Sequence, residues 1–240
     1  MKFEHGLTIL QGKARPDSET LRSPEEVIAF VEERGVAPLF TCPIEGISIE
    51  EHTLSADWWG EREERDPWEW RKAIAESGRV AYGRLLDGRM AYVSLRLFPL
   101  LASYRRDGYD FDTRIEEGIA PPRERAIMKE LMQEDLSSYL IRRRAGFGKE
   151  GYKGYDGTLA SLMSQTYVVI KNFRRKIRRD GAEYGWPVAV YTTPERRFGE
   201  ELTRSAYLKS RERCLEELLG ALAEAYPGLP AEAWQPLLKK

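Results

Sequence analysis

Four tryptophans and six carboxylates lie close together between residues 57 and 70 of this 240-residue chain. Indole rings can wall a pocket for a planar base, and a carboxylate can position a water molecule. The candidate set comprises Trp58, Trp59, Trp68 and Trp70 with three of the carboxylates, Asp57, Asp66 and Glu69. We take Asp66 and Glu69 as candidate catalytic residues and the tryptophans as a candidate base pocket. The alternative is structural, because Asp66 and Glu69 also match a helix cap and tryptophans at this spacing commonly pack a core.

Positive charge is concentrated in one segment, residues 142–179, which holds eleven Lys or Arg and two acids, while the whole chain has a net charge of −1. Clustered cations displace the counterions condensed on nucleic-acid phosphates, so the segment predicts a polyanion-binding face. A solvated basic surface is the alternative. The cations are Arg142, Arg143, Arg144, Lys149, Lys153, Lys171, Arg174, Arg175, Lys176, Arg178 and Arg179.

Other chemistry has little support in the sequence. The two histidines, His5 and His52, and the two cysteines, Cys42 and Cys214, lack the spacing of a zinc site or a nucleophile system. No phosphate-binding loop or dinucleotide fingerprint is present. The sequence therefore predicts no metal and no nucleotide cofactor.

The acids Asp107, Asp110 and Asp112 surround Gly108 and are typical of a turn rather than of a hard-metal site. No apolar run is long enough to span a bilayer, and the first residues lack the apolar stretch of a secretory signal. We therefore expect no membrane partner and a cytoplasmic location.

Start and stop signals place the elements of the first half. Ser23-Pro24 and Asp66-Pro67 each begin a helix, which Gly35 and Gly78 respectively end. Two strands, at residues 79–86 and 89–95, flank Asp87-Gly88, which favours a type I′ hairpin. A further helix covers residues 97–106, and a loop covers 107–112.

The second half has a different order. Helices are predicted at residues 122–133, 136–144 and 158–165, followed by strands at 167–173 and 187–192 with a turn at Asp180-Gly181. Three helices and a hairpin are the order of a winged helix-turn-helix. Helices complete the chain, one from Thr193-Pro194 and one with leucines at helical spacing.

The cations fall where a winged helix touches phosphate. Lys149 and Lys153 lie in the loop before the third helix, and the last six cations lie along the hairpin. The outer face of the third helix carries small residues, among them Ser161, and only Thr158 and Gln165 could reach base edges. These three complete the predicted DNA-binding set, which indicates sequence-tolerant binding.

Several segments together resemble a known family. They are Asp66-Pro-Trp-Glu-Trp-Arg71, Glu76-Ser-Gly-Arg-Val-Ala-Tyr-Gly83, Ser103-Tyr-Arg-Arg-Asp-Gly-Tyr-Asp-Phe-Asp112, Gln165-Thr-Tyr167 and Tyr184-Gly-Trp186. Over roughly residues 20–230 the chain resembles the short bacterial proteins related to the AlkZ winged-helix DNA glycosylases. The resemblance implies winged helices, DNA as the partner and metal-independent excision of alkylated or cross-linked bases.

The glycosylases use a Gln-apolar-Gln or Gln-apolar-Asp motif, and the glutamines of this chain are Gln11, Gln133, Gln165 and Gln235. None heads such a motif, since Gln133 is followed by the charged Glu134. The resemblance therefore carries over no catalytic residue, and Gln165 joins Asp66 and Glu69 as a catalytic candidate by residue type alone. We expect no base excision above background.

The sequence thus predicts an α-rich α+β fold with three parts. Residues 1–112 form an N-terminal helix and β-hairpin module, residues 113–193 a winged-helix domain, and residues 194–240 C-terminal helices packing on it. The predicted function is binding of double-stranded or damaged DNA linked to base repair. An active glycosylase with a non-standard site and a module that binds RNA or an acidic protein are the alternatives.

Overall fold

Helix caps fix the first elements where the sequence places them. The structure, a computed structural model, describes residues 2–4, 7–178 and 181–239. The side chain of Ser23 accepts from the Glu26 N–H, and Gly35 ends that helix at φ 89°. Asp66 accepts from the Trp68 N–H in the same way, and Gly78 follows in the left-handed region. Both predicted helices are confirmed.

The described elements of residues 1–116 alternate short strands and helices. In chain order they are β1 (Lys2–Glu4), β2 (Leu7–Ile9), α1 (Pro24–Arg34), β3 (Val36–Pro38), α2 (Pro67–Ser77), β4 (Val80–Leu86), β5 (Arg89–Ser94), α3 (Phe98–Arg106) and α4 (Phe111–Glu116). Three 3₁₀ turns, Glu50–His52, Ser55–Asp57 and Glu63–Arg65, lie between β3 and α2. Strands β3, β5 and β4 form an antiparallel sheet in that order.

The remaining described elements begin with three helices and a hairpin. They are α5 (Pro122–Leu131), β6 (Leu136–Ser137), α6 (Ser138–Arg144), α7 (Tyr155–Ser164), β7 (Val169–Ile177), β8 (Glu183–Thr192), α8 (Pro194–Phe198), α9 (Glu200–Arg204), α10 (Arg211–Ala225) and α11 (Ala231–Leu238). The short strand β6 pairs with β8, so the second antiparallel sheet has the order β6-β8-β7. The fold is therefore a mixed α+β arrangement of many helices and small sheets.

Some boundaries differ from those predicted. The predicted loop at residues 107–112 contains the first two residues of α4, and β6 occupies the predicted start of the second helix. Helix α7 begins three residues earlier than expected, at Tyr155. Strands β7 and β8 reach further toward the turn because their charged outer halves pair by main-chain hydrogen bonds, which apolar periodicity does not reveal. The predicted turn residue Asp180 lies outside the described residues.

Both halves of the chain contribute residues to the hydrophobic core. One cluster combines the buried faces of α1 and α2 with those of α5, α6 and α7, including Val27, Ile74, Ile127 and Leu162. A second joins the β4–β5 hairpin and α3 to α10 and α11 through residues such as Trp234. The three-part division at residues 112 and 193 stays a prediction.

Arg105 of α3 ties distant parts of this core together. Its side chain is 2% exposed. The guanidinium donates to the carbonyl oxygens of Leu85 at 2.6 Å and Ser164 at 2.9 Å, which lie at the ends of β4 and α7. It also donates to the carbonyls of Leu237 and Leu238 at 3.2 and 2.9 Å. Burial lowers the pKa of Arg105 to about 10, so the group stays charged at neutral pH.

The next residue, Arg106, holds the turn after α7. Thr166 has φ 66°, a conformation that a β-branched residue rarely adopts. Arg106 donates to the Thr166 carbonyl at 2.5 Å and to its hydroxyl at 3.2 Å. The same guanidinium pairs with Glu195 at 2.5 Å and lies 4.6 Å from the centre of the Tyr167 ring. These contacts fix the direction in which β7 leaves α7.

Candidate functional site

A cleft of about 490 Å³ opens between the start of α2 and strand β8. Trp59 and Trp68 line it, so two of the four tryptophans named from sequence face the same space. Asp66 and Glu69 line it as well. The remaining lining residues are Gly60, Glu63, Arg71, Lys72, Trp186 and Pro187.

The other two tryptophans are core residues. Trp58 is 5% exposed and Trp70 is 4% exposed. Each indole N–H already has an acceptor, the Thr53 hydroxyl at 2.9 Å for Trp58 and the Glu64 carbonyl at 2.8 Å for Trp70. Their assignment to a base pocket is therefore not supported by the geometry, and packing is their role, as the structural alternative expected.

Trp186 is the aromatic lining residue that the site prediction missed. It comes from β8, more than 110 positions after Trp68 in the chain, and its side chain is 88% exposed. The spacing of residues along the sequence cannot predict that Trp68 and Trp186 lie close together. The signal available was the Tyr184-Gly-Trp186 segment, since a glycine within a strand often marks a bulge.

Asp66 combines a capping role with a place at the cleft. The side chain is 3% exposed and accepts from the Trp68 N–H at 2.8 Å. Burial raises the pKa of the Asp66 carboxyl and outweighs the lowering by the N–H groups of Trp68 and Trp59, while the negative charge of Glu69 raises it further. Glu69 itself forms an ion pair with Lys72. Both carboxylates are therefore engaged in local contacts.

Arg71 connects the cleft to the second sheet. Its guanidinium carbon lies 3.3 Å from the centre of the Trp68 ring and 4.8 Å from that of Phe173 on β7. Its Nε also donates to the Trp68 carbonyl at 2.5 Å. Cation–π contacts of this kind hold the indole of Trp68 in place against the hairpin.

The hairpin β7–β8 carries a run of exposed cations. Arg174, Arg175 and Arg178 are exposed and Lys176 is partly so. Among the described residues, no acid lies within ion-pair distance of these four. Lys171 differs, because it pairs with Asp135 at 2.5 Å. Arg179 lies outside the described residues.

The cations that precede the hairpin in the chain also fall into two groups, those that pair with no described acid and those held by local contacts. Arg142, Arg143 and Lys149 are exposed, and no acid in the described part of the chain pairs with them. Arg144 pairs with Glu134, and the Nζ of Lys153 donates to main-chain carbonyls of its own loop. These last two side chains help to hold local structure.

Aromatic rings are interleaved with the cations. The ammonium of Lys176 lies 5.3 Å from the centre of the Tyr139 ring, and the guanidinium of Arg178 lies 5.5 Å from that of Tyr184. Tyr139 and Tyr184 are 38% and 40% exposed. Cations of this kind can bind phosphate, and the exposed rings beside them can stack on sugars or bases.

The predicted base-reading residues are engaged within the protein. Thr158 is buried, and its hydroxyl donates to the Gly154 carbonyl at 3.0 Å. The Gln165 amide donates to Glu124 at 2.9 Å and accepts from Arg114 at 2.7 Å. Ser161 donates to the same carboxylate of Glu124 at 3.0 Å. Gln165 and Ser161 of α7 thus form a polar network with Glu124 and Arg114.

No group of three or more His, Cys, Asp or Glu side chains in the described ranges is arranged to hold a metal ion. Asp107 takes the left-handed conformation at the end of α3, and Asp110 pairs with Arg204 at 3.1 Å. No helix of the described chain is long and apolar enough to cross a membrane.

The sequence model of one protein family, described as AlkZ related, matches residues 21–239 of the chain. That range contains the cleft, the cationic hairpin and α7. No curated protein and no solved structure matches the chain.

Proposed function

Since the chain belongs to the AlkZ-related family, we propose that it binds duplex or damaged DNA through phosphate contacts of the hairpin β7–β8. Residues 113–193 would act as a winged helix-turn-helix, with α5, α6 and α7 as its helices and the hairpin as its wing. The order helix, strand, helix, helix, strand, strand and the pairing of β6 with β8 support this assignment.

The observation that carries the proposal is the set of hairpin cations that have no acidic partner among the described residues. Cations that already pair with acids gain little from phosphate, whereas Arg174, Arg175, Lys176 and Arg178, which pair with no acid in the described ranges, can displace DNA counterions. Arg142 and Arg143 extend the same charge at the end of α6.

Binding should be tolerant of sequence. The hydroxyl of Thr158 and the amide of Gln165 have internal partners, so neither is available for a base edge without breaking a hydrogen bond. The exposed Gly157 has no side chain to offer. Phosphate contacts alone carry no base information. The AlkZ relationship supports a link to repair of alkylated or cross-linked bases, and the missing glutamine motif limits the proposal to binding.

We predict that binding to duplex DNA weakens steeply with salt. If about five cations touch phosphate, log K should fall against log salt with a slope of roughly −4 to −5. Replacing Arg174, Arg175 and Lys176 by alanine should weaken binding to all sequences alike and reduce the slope by roughly 3. Fluorescence anisotropy on three unrelated duplexes at several salt concentrations measures both effects.

A matched triple variant, Arg15, Arg62 and Arg213 to alanine, removes the same charge from exposed positions outside residues 142–179 and should leave the slope unchanged. A slope near zero for the unmodified protein would refute the proposal. Tighter binding of RNA or of an acidic protein in competition would favour the interaction-module alternative. Alkali-labile sites formed in 7-methylguanine or cross-linked duplexes would identify an active glycosylase instead.

A further inference from the structure

The cleft beside the hairpin is walled by indoles from three separate stretches of the chain. Trp59 precedes α2, Trp68 lies in its first turn and Trp186 lies on β8. Trp59 is 48% exposed and has φ 55°, a strained conformation for a bulky residue. Two exposed indoles facing one cleft are unusual in a protein that could have buried them, and they mark a binding site.

The hairpin register places Trp186 among the cations. Arg174 pairs with Val188 and Lys176 pairs with Tyr184, so residues 185–187 lie opposite Arg175 alone. Gly185 has φ 73° at this irregularity. A bulge of this kind redirects side chains, and here Trp186 and Pro187 line the cleft at the start of α2. The cationic strand β7 and one indole of the wall, that of Trp186, therefore belong to the same hairpin.

Charge is distributed unevenly across this surface. Glu63, Asp66 and Glu69 line the cleft together with Lys72, which pairs with Glu69, and Arg71, which lies on the Trp68 ring. The hairpin cations that lack an acidic partner among the described residues do not line it. A nucleotide has the matching distribution, since its base is uncharged and can donate to carboxylates while its phosphate is an anion. An acidic peptide would bring negative charge against the three carboxylates.

We propose that the cleft holds one unstacked nucleobase of DNA, stacked against Trp186 and Trp68, while the hairpin cations bind the flanking phosphates. This inference rests on the proposed DNA-binding function and names the part of the substrate that the cleft takes. Aromatic stacking tolerates any base because every base has a π face, which agrees with sequence-tolerant binding. A cleft of about 490 Å³ lies in the size range of small-molecule sites.

The test uses a duplex in which one 2-aminopurine lies opposite an abasic analogue. Such a base leaves the helix at low cost, and stacking on an indole quenches its fluorescence. The protein should bind this duplex on the order of tenfold more tightly than the fully paired duplex, with quenching on binding, because the unstacked base gains a stacking contact with an indole. Trp186→Ala should abolish the preference and the quenching but retain binding to paired DNA.

Ile177→Ala is the matched control, since Ile177 is a 66% exposed apolar residue of the same hairpin that does not line the cleft. It should keep the preference. Trp186 is so exposed that its replacement should leave the melting temperature unchanged. A further duplex with abasic analogues in both strands separates base binding from flexibility of the DNA.

Each outcome decides between the two proposals. Equal binding of paired and orphan-base duplexes by the unmodified protein would overturn the base-binding inference and leave DNA binding intact. An equal gain in affinity with the doubly abasic duplex would also overturn the base-binding inference, because flexibility of the DNA alone would explain the preference. Binding of single strands that depends on Trp186, without binding of paired duplex, would support the cleft and overturn duplex binding. If neither form of DNA binds, both proposals fail.

Discussion

Asp135 is the residue on which the base of the hairpin depends. It lies between α5 and β6, and its carboxylate binds Lys171 on β7, the hydroxyl of Thr192 on β8 at 2.6 Å and Arg196 on α8 at 3.4 Å. Burial tends to raise the pKa of this carboxyl, but the hydrogen bonds from Lys171 and Thr192 and the charges of Lys171 and Arg196 lower it overall. One acid thus joins three elements.

We predict that Asp135→Asn lowers the free energy of unfolding by about 1–2 kcal/mol at pH 7, because Lys171 loses its half-buried partner. A carboxyl with a lowered pKa in the folded state stabilises above its unfolded pKa, and that contribution is lost as pH falls through the folded value. The difference between variant and unmodified protein should therefore shrink below about pH 4. Urea unfolding at pH 7 and pH 3 measures it.

Glu150→Gln serves as the control, since Glu150 is an exposed acid in the loop before α7 and its change should cost less than about 0.5 kcal/mol. If Asp135→Asn lowered the free energy of unfolding equally at both pH values, packing and not the ion pair would be responsible for the loss of stability.

Individual roles were predictable from sequence where they are local. Asp66 caps α2 as its neighbours Pro67 and Glu69 indicated. The role of Glu124 was not predictable, since its carboxylate binds Ser161 and Gln165, 37 and 41 positions away. Spacing carries no information across such distances. The same limit hid Trp186.

The β4–β5 hairpin shows how one dipeptide determines an element. Asp87 and Gly88 have φ 46° and 68°, the two positive values that a type I′ turn requires. An added Cβ at Gly88 would meet nothing within 4 Å. Any cost of a side chain there is therefore conformational and not steric.

Gly88→Ala should lower the free energy of unfolding by about 1 kcal/mol, because alanine disfavours positive φ. Gly220→Ala should raise it by about 0.5–1 kcal/mol, since Gly220 lies within α10 and its added Cβ also meets nothing within 4 Å. Guanidinium denaturation of both variants tests the pair. Equal signs would contradict the conformational explanation.

At the scale of elements, strong local signals were sufficient. Caps at Ser23 and Asp66 and the Asp87-Gly88 turn were confirmed. The strands β3 and β6 were missed because they are two or three residues long and exist only through pairing with β5 and β8. Their formation depends on partners more than 50 positions away, which local pattern does not report.

The stability of the whole molecule depends on the long-range hydrogen bonds of the buried Arg105. We predict that Arg105→Met lowers the free energy of unfolding by at least about 3 kcal/mol, because several buried carbonyls lose their donor at once. Arg211→Met is the comparison, since exposed Arg211 donates one hydrogen bond, to the Tyr104 carbonyl at 3.2 Å. Its loss should cost less than about 1 kcal/mol. Similar effects of the two changes in chemical denaturation would show that water replaces the Arg105 hydrogen bonds.

The contacts of Arg105 also determine when the core around α3 can be completed during synthesis. Its acceptors at Leu237 and Leu238 follow it by 132 and 133 positions. At about 5–20 residues per second, a ribosome needs roughly 7–27 s to add them after Arg105. Throughout that interval the core around α3 lacks the α11 segment that covers it. The core of the first half can therefore close only after α11 has been synthesised.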